Sequence, residues 1–180
     1  TFAEENEASQ TIEQPSYISD FPNQVGHWQD LVGTAEKKND SAGLWIANTK
    51  QGTNLESVSI NLDAREQSSG DLELTFLYEG QSNFGLVFRG DKQKTSQWQS
   101  FAYNRDGRWQ LGQPGGKWLT NIPGPTLLSG QQYKLLVRYD GKKIQTFLND
   151  QLFYENEEVH YPDGTSINDD WMGAVGIRLF

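Results

Sequence analysis

The sequence predicts an all-β protein, an antiparallel β-sandwich of the jelly-roll kind, and three observations predict it. Apolar residues recur at every second position in about five segments between Asp71 and Tyr154, the period of a strand with one buried face. Compact turns join those segments, and Asp106-Gly107 and Asp140-Gly141 carry the residues that supply the positive φ of a tight hairpin. No stretch of comparable length shows a helical period.

The elements follow in order. Residues 1–22 are rich in Glu, Gln, Asn and Ser, with Pro15 and Pro22 and no apolar period, and read as a linker or disordered arm. The sandwich is expected over 23–180. Segments 27–32 and 43–47 read as two early strands separated by a polar turn at Glu36–Asp40, and Val58, Ile60 and Leu62 mark a third. Leu72, Leu74, Phe76 and Tyr78 then alternate with Asp71, Glu73, Thr75 and Leu77. Further strands are expected at 84–89, 97–104, 133–139, 144–148 and 151–154, with Asn149-Asp150 as a turn and 173–180 as the closing strand. Gly112–Trp118 reads as a Gly/Pro-rich loop, and Trp28, Trp45 and Trp171 as core. Ten or so short strands at this spacing fit a single sandwich.

Composition narrows the function. Six Trp, seven Tyr and nine Phe supply core area despite a hydrophobic fraction of only 35%. A net charge of -9 argues against nucleic acid and anionic membrane as partners, since both require a basic surface. With no cysteine there is no disulfide, thiolate metal site or Cys nucleophile. No apolar run is long enough to span a bilayer. The chain begins at Thr1 rather than Met, and reads as a piece of something larger, with a monomeric module as the default.

Three stretches carry a resemblance: Gly70–Phe76 with Phe84–Arg89, Trp98–Tyr103 leading to Asp106–Trp109, and Gly130–Arg138 followed by Gly141–Ile144 and Phe147–Asp150. In order and spacing, over roughly 28–180, they resemble the concanavalin A-like, laminin-G-like jelly roll. Within it the chain looks most like carbohydrate-binding modules attached to bacterial glycoside hydrolases, fructan-binding ones included. It is similar also to sandwich regions flanking endo-α-N-acetylgalactosaminidases. The resemblance implies an extracellular module with a glycan partner, and one structural calcium held by carboxylate and carbonyl oxygens. Asp169 and Asp170, after Asn168 and before the closing strand, are suitable in type, with Asp30 or Asp63 able to join them.

A sugar site needs aromatic platforms beside bidentate polar groups. Arg89 ends its strand on the face opposite Phe84, Leu86 and Phe88, where it would hold two hydroxyls or a carboxylate unless it pairs with Glu73 or Glu79. Gln99 and Tyr103 share a strand face with Phe101, and Trp98, Ser100 and Ala102 the other. Trp109 follows the Asp106-Gly107 turn, close to Tyr103, and Trp118 sits where a loop ring either stacks on sugar or plugs the sandwich end. The sequence shows no catalytic pattern: no strand carries the alternating acids of a sandwich glycosidase, Asp71 and Glu73 sit at a strand's start, and His27 and His160 belong to no triad or zinc signature. The expected function is thus a non-catalytic carbohydrate-binding module that anchors a secreted glycosidase. A sandwich that packs on a neighbouring catalytic domain is the alternative, and a small glycosidase a third.

Overall fold

The computed structural model describes residues 27–40, 43–48, 56–62, 66–80, 83–94 and 96–180. The expected arm at 1–22, the candidate ligand Asp63 and the side chain of Trp45 lie outside this set. Thirteen strands are described: β1 (Trp28–Val32), β2 (Ala35–Asp40), β3 (Gly43–Asn48), β4 (Ser57–Asn61), β5 (Gly70–Tyr78), β6 (Phe84–Gly90), β7 (Gln99–Asn104), β8 (Arg108–Gln113), β9 (Lys117–Ile122), β10 (Gln131–Asp140), β11 (Lys143–Leu148), β12 (Gln151–Asn156) and β13 (Ala174–Leu179). Among the described residues there is no α-helix. The all-β expectation holds.

Two antiparallel sheets form the sandwich, one of seven strands in the order β1-β4-β13-β6-β7-β8-β9 and one of four in the order β12-β11-β10-β5, with β2-β3 as a separate hairpin. Alternation decides what each sheet contributes. Leu72, Leu74, Phe76 and Tyr78 of β5 face inward, and the register places Tyr133, Leu135, Val137 and Tyr139 of β10 beside them. From the larger sheet come Phe84, Leu86 and Phe88 of β6, Phe101 and Tyr103 of β7, and Trp109 and Leu111 of β8. The ring-rich composition is therefore spent here: Phe88 stacks on Tyr139 at 4.9 Å, and Tyr103, Trp109 and Phe153 pack within 5 Å of one another in sequence, at 4.8 and 4.9 Å.

The turns follow their residues. Asn149 and Asp150 both adopt positive φ, 48° and 65°, as a two-residue hairpin between β11 and β12 requires. Two expectations need correction. Glu36–Asp40 is not a turn but the body of β2, paired with β3 along its whole length, since ladder hydrogen bonds come from the backbone and a polar run can make them. Gly112–Trp118 is not a loop but a hairpin: Gly115 and Gly116, at φ +88° and +77°, turn β8 into β9. Trp28 and Trp171, expected as core, are half-buried.

The four strands β4, β6, β7 and β8 are buried nearly throughout. The central strands of the larger sheet are thus shielded on both faces while β1, β9 and β13 stay partly open, and the second face is where the chemistry gathers.

Candidate functional site

The residues expected to bind sugar divide between the two faces of the seven-stranded sheet. Tyr103 and Trp109 are not platforms. The pleat puts them in phase with Phe101 and Leu111, inside the sandwich, at 1% and 0% exposure. Their polar atoms are used internally: the Tyr103 hydroxyl accepts from Leu127 N at 3.0 Å, and Trp109 Nε1 donates to the Pro125 carbonyl at 2.9 Å.

Arg89 is also inside, fully buried. A register shift between β13 and β6 marks a bulge there, and Arg89 takes a φ of +54°, which breaks the alternation. Its guanidinium then lies over Tyr139, 5.2 Å from the ring centre. Nε donates to Ser68 O, Nη2 to Gly141 O, and Nη1 to Asn168 O and Gln99 Oε1, at 2.7, 2.6, 3.2 and 3.0 Å. Gln99 Nε2 donates to Asn168 O and Gln113 Oε1, and Tyr161 donates to the same Gln113 oxygen. Burial lowers the Arg89 pKa and raises that of Tyr161. Arg89 and Gln99 thus fasten three chain segments together at one end of the sandwich. Neither Glu73 nor Glu79 is a partner.

Trp118 is the expected residue that lies elsewhere, half-buried on the face of the larger sheet turned away from the smaller one. Two registered rows cross that face. One runs Ile60, Gly176, Val87, Ser100, Gly112, Trp118, and the next runs Val58, Arg178, Gly85, Ala102, Gln110. The middle of both rows is small. Trp118 lies flat on Gly112, where an added Cβ would come within 1.9 Å of its ring.

Arg178 of β13 reaches Trp118 of β9: its guanidinium carbon is 4.3 Å from that ring centre, 3.9 Å from Phe180 and 5.4 Å from Trp98. Three strands, β6, β7 and β8, separate their backbones. At ~4.8 Å per strand that is roughly 19 Å along the sheet, beyond the reach of two side chains across a flat surface. The sheet is therefore curled into a hollow on this side, floored by Gly85, Ser100, Ala102 and Gly112. Arg178 is 6% exposed, and its Nε donates to Glu56 Oε1 at 2.5 Å. Burial lowers its pKa, with Glu56 opposing.

The hollow holds unused hydrogen-bonding capacity. Trp98 Nε1, Ser100 Oγ and Arg178 Nη1 are buried without a hydrogen-bond partner, a state native proteins rarely leave unexplained. The rim, formed by Trp118, Phe180 and Glu56, is partly open to solvent. Sequence reasoning separated Trp98 and Ser100 from Phe101 and Tyr103 but favoured the other face. Arg178 it missed, although a lone charge in the apolar strand Ala174–Leu179 was the available signal.

In the loop before β13, Asp169 is half-buried and Asp170 exposed. Among the described residues no group of three or more His, Cys, Asp or Glu is disposed to hold a metal. The Asn168 carbonyl beside Asp169 and Asp170 already accepts from Arg89 and Gln99, and Asp30 accepts from Ser59 and Lys37. Asp71 accepts both arms of Arg138 on the outer face of the four-stranded sheet.

No family model matches the chain. Solved structures of similar fold include the carbohydrate binding module CBM66 from Bacillus subtilis, 17% identical over 84% of this chain and 86% of that one, with a TM-score of 0.60. A protein of unknown function with a galectin-like fold, also from Bacillus subtilis, is 13% identical over 89% and 87%, at 0.61. A third belongs to work on endo-acting O-glycanases with which human gut bacteria initiate mucin breakdown; it is 10% identical over 89% and 81%, at 0.52. At these identities the likeness is one of fold: the chain is similar to galectin-like and carbohydrate-module sandwiches.

Proposed function

We propose that this domain is a non-catalytic carbohydrate-binding module which works outside the cell and anchors a larger glycosidase to its glycan. The observation that carries the reading is the hollow on the seven-stranded sheet. An aromatic wall of Trp118, Trp98 and Phe180 stands beside buried N–H and O–H groups with no partner. Sugars supply what such a site lacks, apolar C–H faces for rings and oxygens for donors. The similar fold of a named carbohydrate binding module supports the same reading. Tethering would raise the effective concentration of an appended enzyme on a polymer.

Intrinsic tryptophan fluorescence, titrated with a panel of plant, fungal, bacterial and mucin glycans, tests it. At least one glycan should shift the emission saturably. Trp118→Ala should weaken that binding about tenfold, the equivalent of ~1.4 kcal/mol for one aromatic contact. Absence of any saturable shift, or full affinity in the variant, would count against the hollow as the site.

The second reading, a sandwich that packs on a catalytic neighbour, is favoured by the outer face of the four-stranded sheet. There the register aligns Leu136, Phe147 and Leu152 across β10, β11 and β12, and Leu152 is 46% exposed. The two readings use opposite surfaces and are compatible.

A further inference from the structure

Resting on the glycan-binding reading, we infer that the hollow takes an uncharged sugar, whose neighbouring hydroxyls bridge Arg178 and Glu56, and discriminates against acidic glycans. The charge at the site is already balanced. Arg178 spends only Nε on Glu56 and keeps Nη1 unpartnered, so the guanidinium still offers a donor while its charge is matched. Glu56 stays about one-third exposed at the rim, an acceptor with room beside it.

The pattern of donors and acceptors selects the ligand. Trp98 Nε1 and Arg178 Nη1 can only donate, Ser100 Oγ can do both, and the Glu56 carboxylate can only accept. A hydroxyl accepts from the guanidinium and donates to the carboxylate at once, and two adjacent hydroxyls satisfy both partners. A carboxylate or sulfate has no hydrogen for Glu56 and sets like charge against it in a partly desolvated place. Among the described residues, the lysine nearest in sequence to the rim is already engaged. Lys117, next to Trp118, donates to Thr165 Oγ1 and pairs with Asp163. The net charge of -9 further opposes approach by a polyanion.

The test compares neutral polysaccharides (glucan, mannan, galactan, fructan) with acidic ones (polygalacturonate, heparin, sialylated mucin glycopeptides) on the wild type, Glu56→Gln and Ser100→Ala. Thermal melting serves as the folding control. Ser100 Oγ has no partner to lose, so Ser100→Ala keeps the measurement interpretable even if Glu56→Gln unfolds. The wild type should bind a neutral glycan and no acidic one. Glu56→Gln should weaken that binding about tenfold and Ser100→Ala several-fold. Wild-type binding to an acidic glycan, tightened by Glu56→Gln, overturns the inference but leaves the glycan-binding reading intact. Neutral binding unchanged in both variants overturns it as well. If no glycan of either kind binds, the glycan-binding reading itself falls.

Discussion

At the scale of single residues, Arg89 shows how one backbone torsion redirects chemistry. Strict alternation sends its side chain to the face of Gly85 and Val87; a φ of +54° at the β6 bulge sends it into the sandwich end instead. Non-glycine residues adopt that conformation rarely and at a cost. Here four hydrogen bonds to Ser68, Gly141, Asn168 and Gln99 offset it. Arg89→Met would leave Ser68 O, Gly141 O and the buried Gln99 Oε1 without that donor, while Asn168 O keeps Gln99 Nε2. The expected loss is at least about 3 kcal/mol, since each unsatisfied buried group costs about 1–3 kcal/mol, read as a lower midpoint in chemical denaturation. A loss under about 1 kcal/mol would mean the guanidinium is not what joins those segments. Nothing in the sequence announces this role. Gly, Asn and Asp advertise positive φ, and those positions, Asp140-Gly141 and Asn149-Asp150 among them, are legible; an arginine in the same torsion is not.

At the scale of elements, period-two patterning located β5, β6, β7, β10 and β11 because each carries large apolar residues on one face. It sorted the side chains of β7 into two sets and could not say which set faces the interior, since both faces of that strand are buried. A polar strand fails in a different way: β2 reads as a turn because its apolar signal is absent. The β8–β9 hairpin was hidden by Pro114, Gly115 and Gly116, which mark a turn but not how tightly it closes. That hairpin offers a test that separates site from fold. Gly112 has no positive φ, and the nearest atoms that a methyl group there would meet are those of the Trp118 ring. Gly112→Ala should push Trp118 off the floor, shift its emission to the red and lower glycan affinity several-fold while the denaturation transition stays cooperative. Unchanged emission and affinity would show that the ring does not need that floor.

At the scale of the whole molecule, the core is built from rings with hydroxyl groups, and that sets an alkaline limit on stability. Tyr78, Tyr139, Tyr154 and Tyr161 all have pKa values raised mainly by burial. Unfolded tyrosines lose their proton near pH 10, whereas these hold theirs, so above that pH the native state binds more protons than the unfolded one. The tyrosines' contribution to stability is then expected to be constant below about pH 10 and to fall as pH rises beyond it. Tyrosinate absorbance should appear together with loss of the near-ultraviolet dichroism. Ionisation of all tyrosines near pH 10 with the fold intact would contradict the tightly sealed core.

The place of β13 has a consequence for how the protein is made. Residues Ala174–Leu179 lie between β4 and β6, not at a border, so the larger sheet stays two separate fragments until they leave the ribosome. Every earlier length of nascent chain presents two raw strand borders where a cell would see one finished surface, and such borders recruit other chains. Synthesis from the N-terminus therefore leaves the larger sheet waiting on β13, and a product that stops before Gly173 is expected to expose the borders of β4 and β6 and to aggregate rather than behave as a slightly trimmed domain.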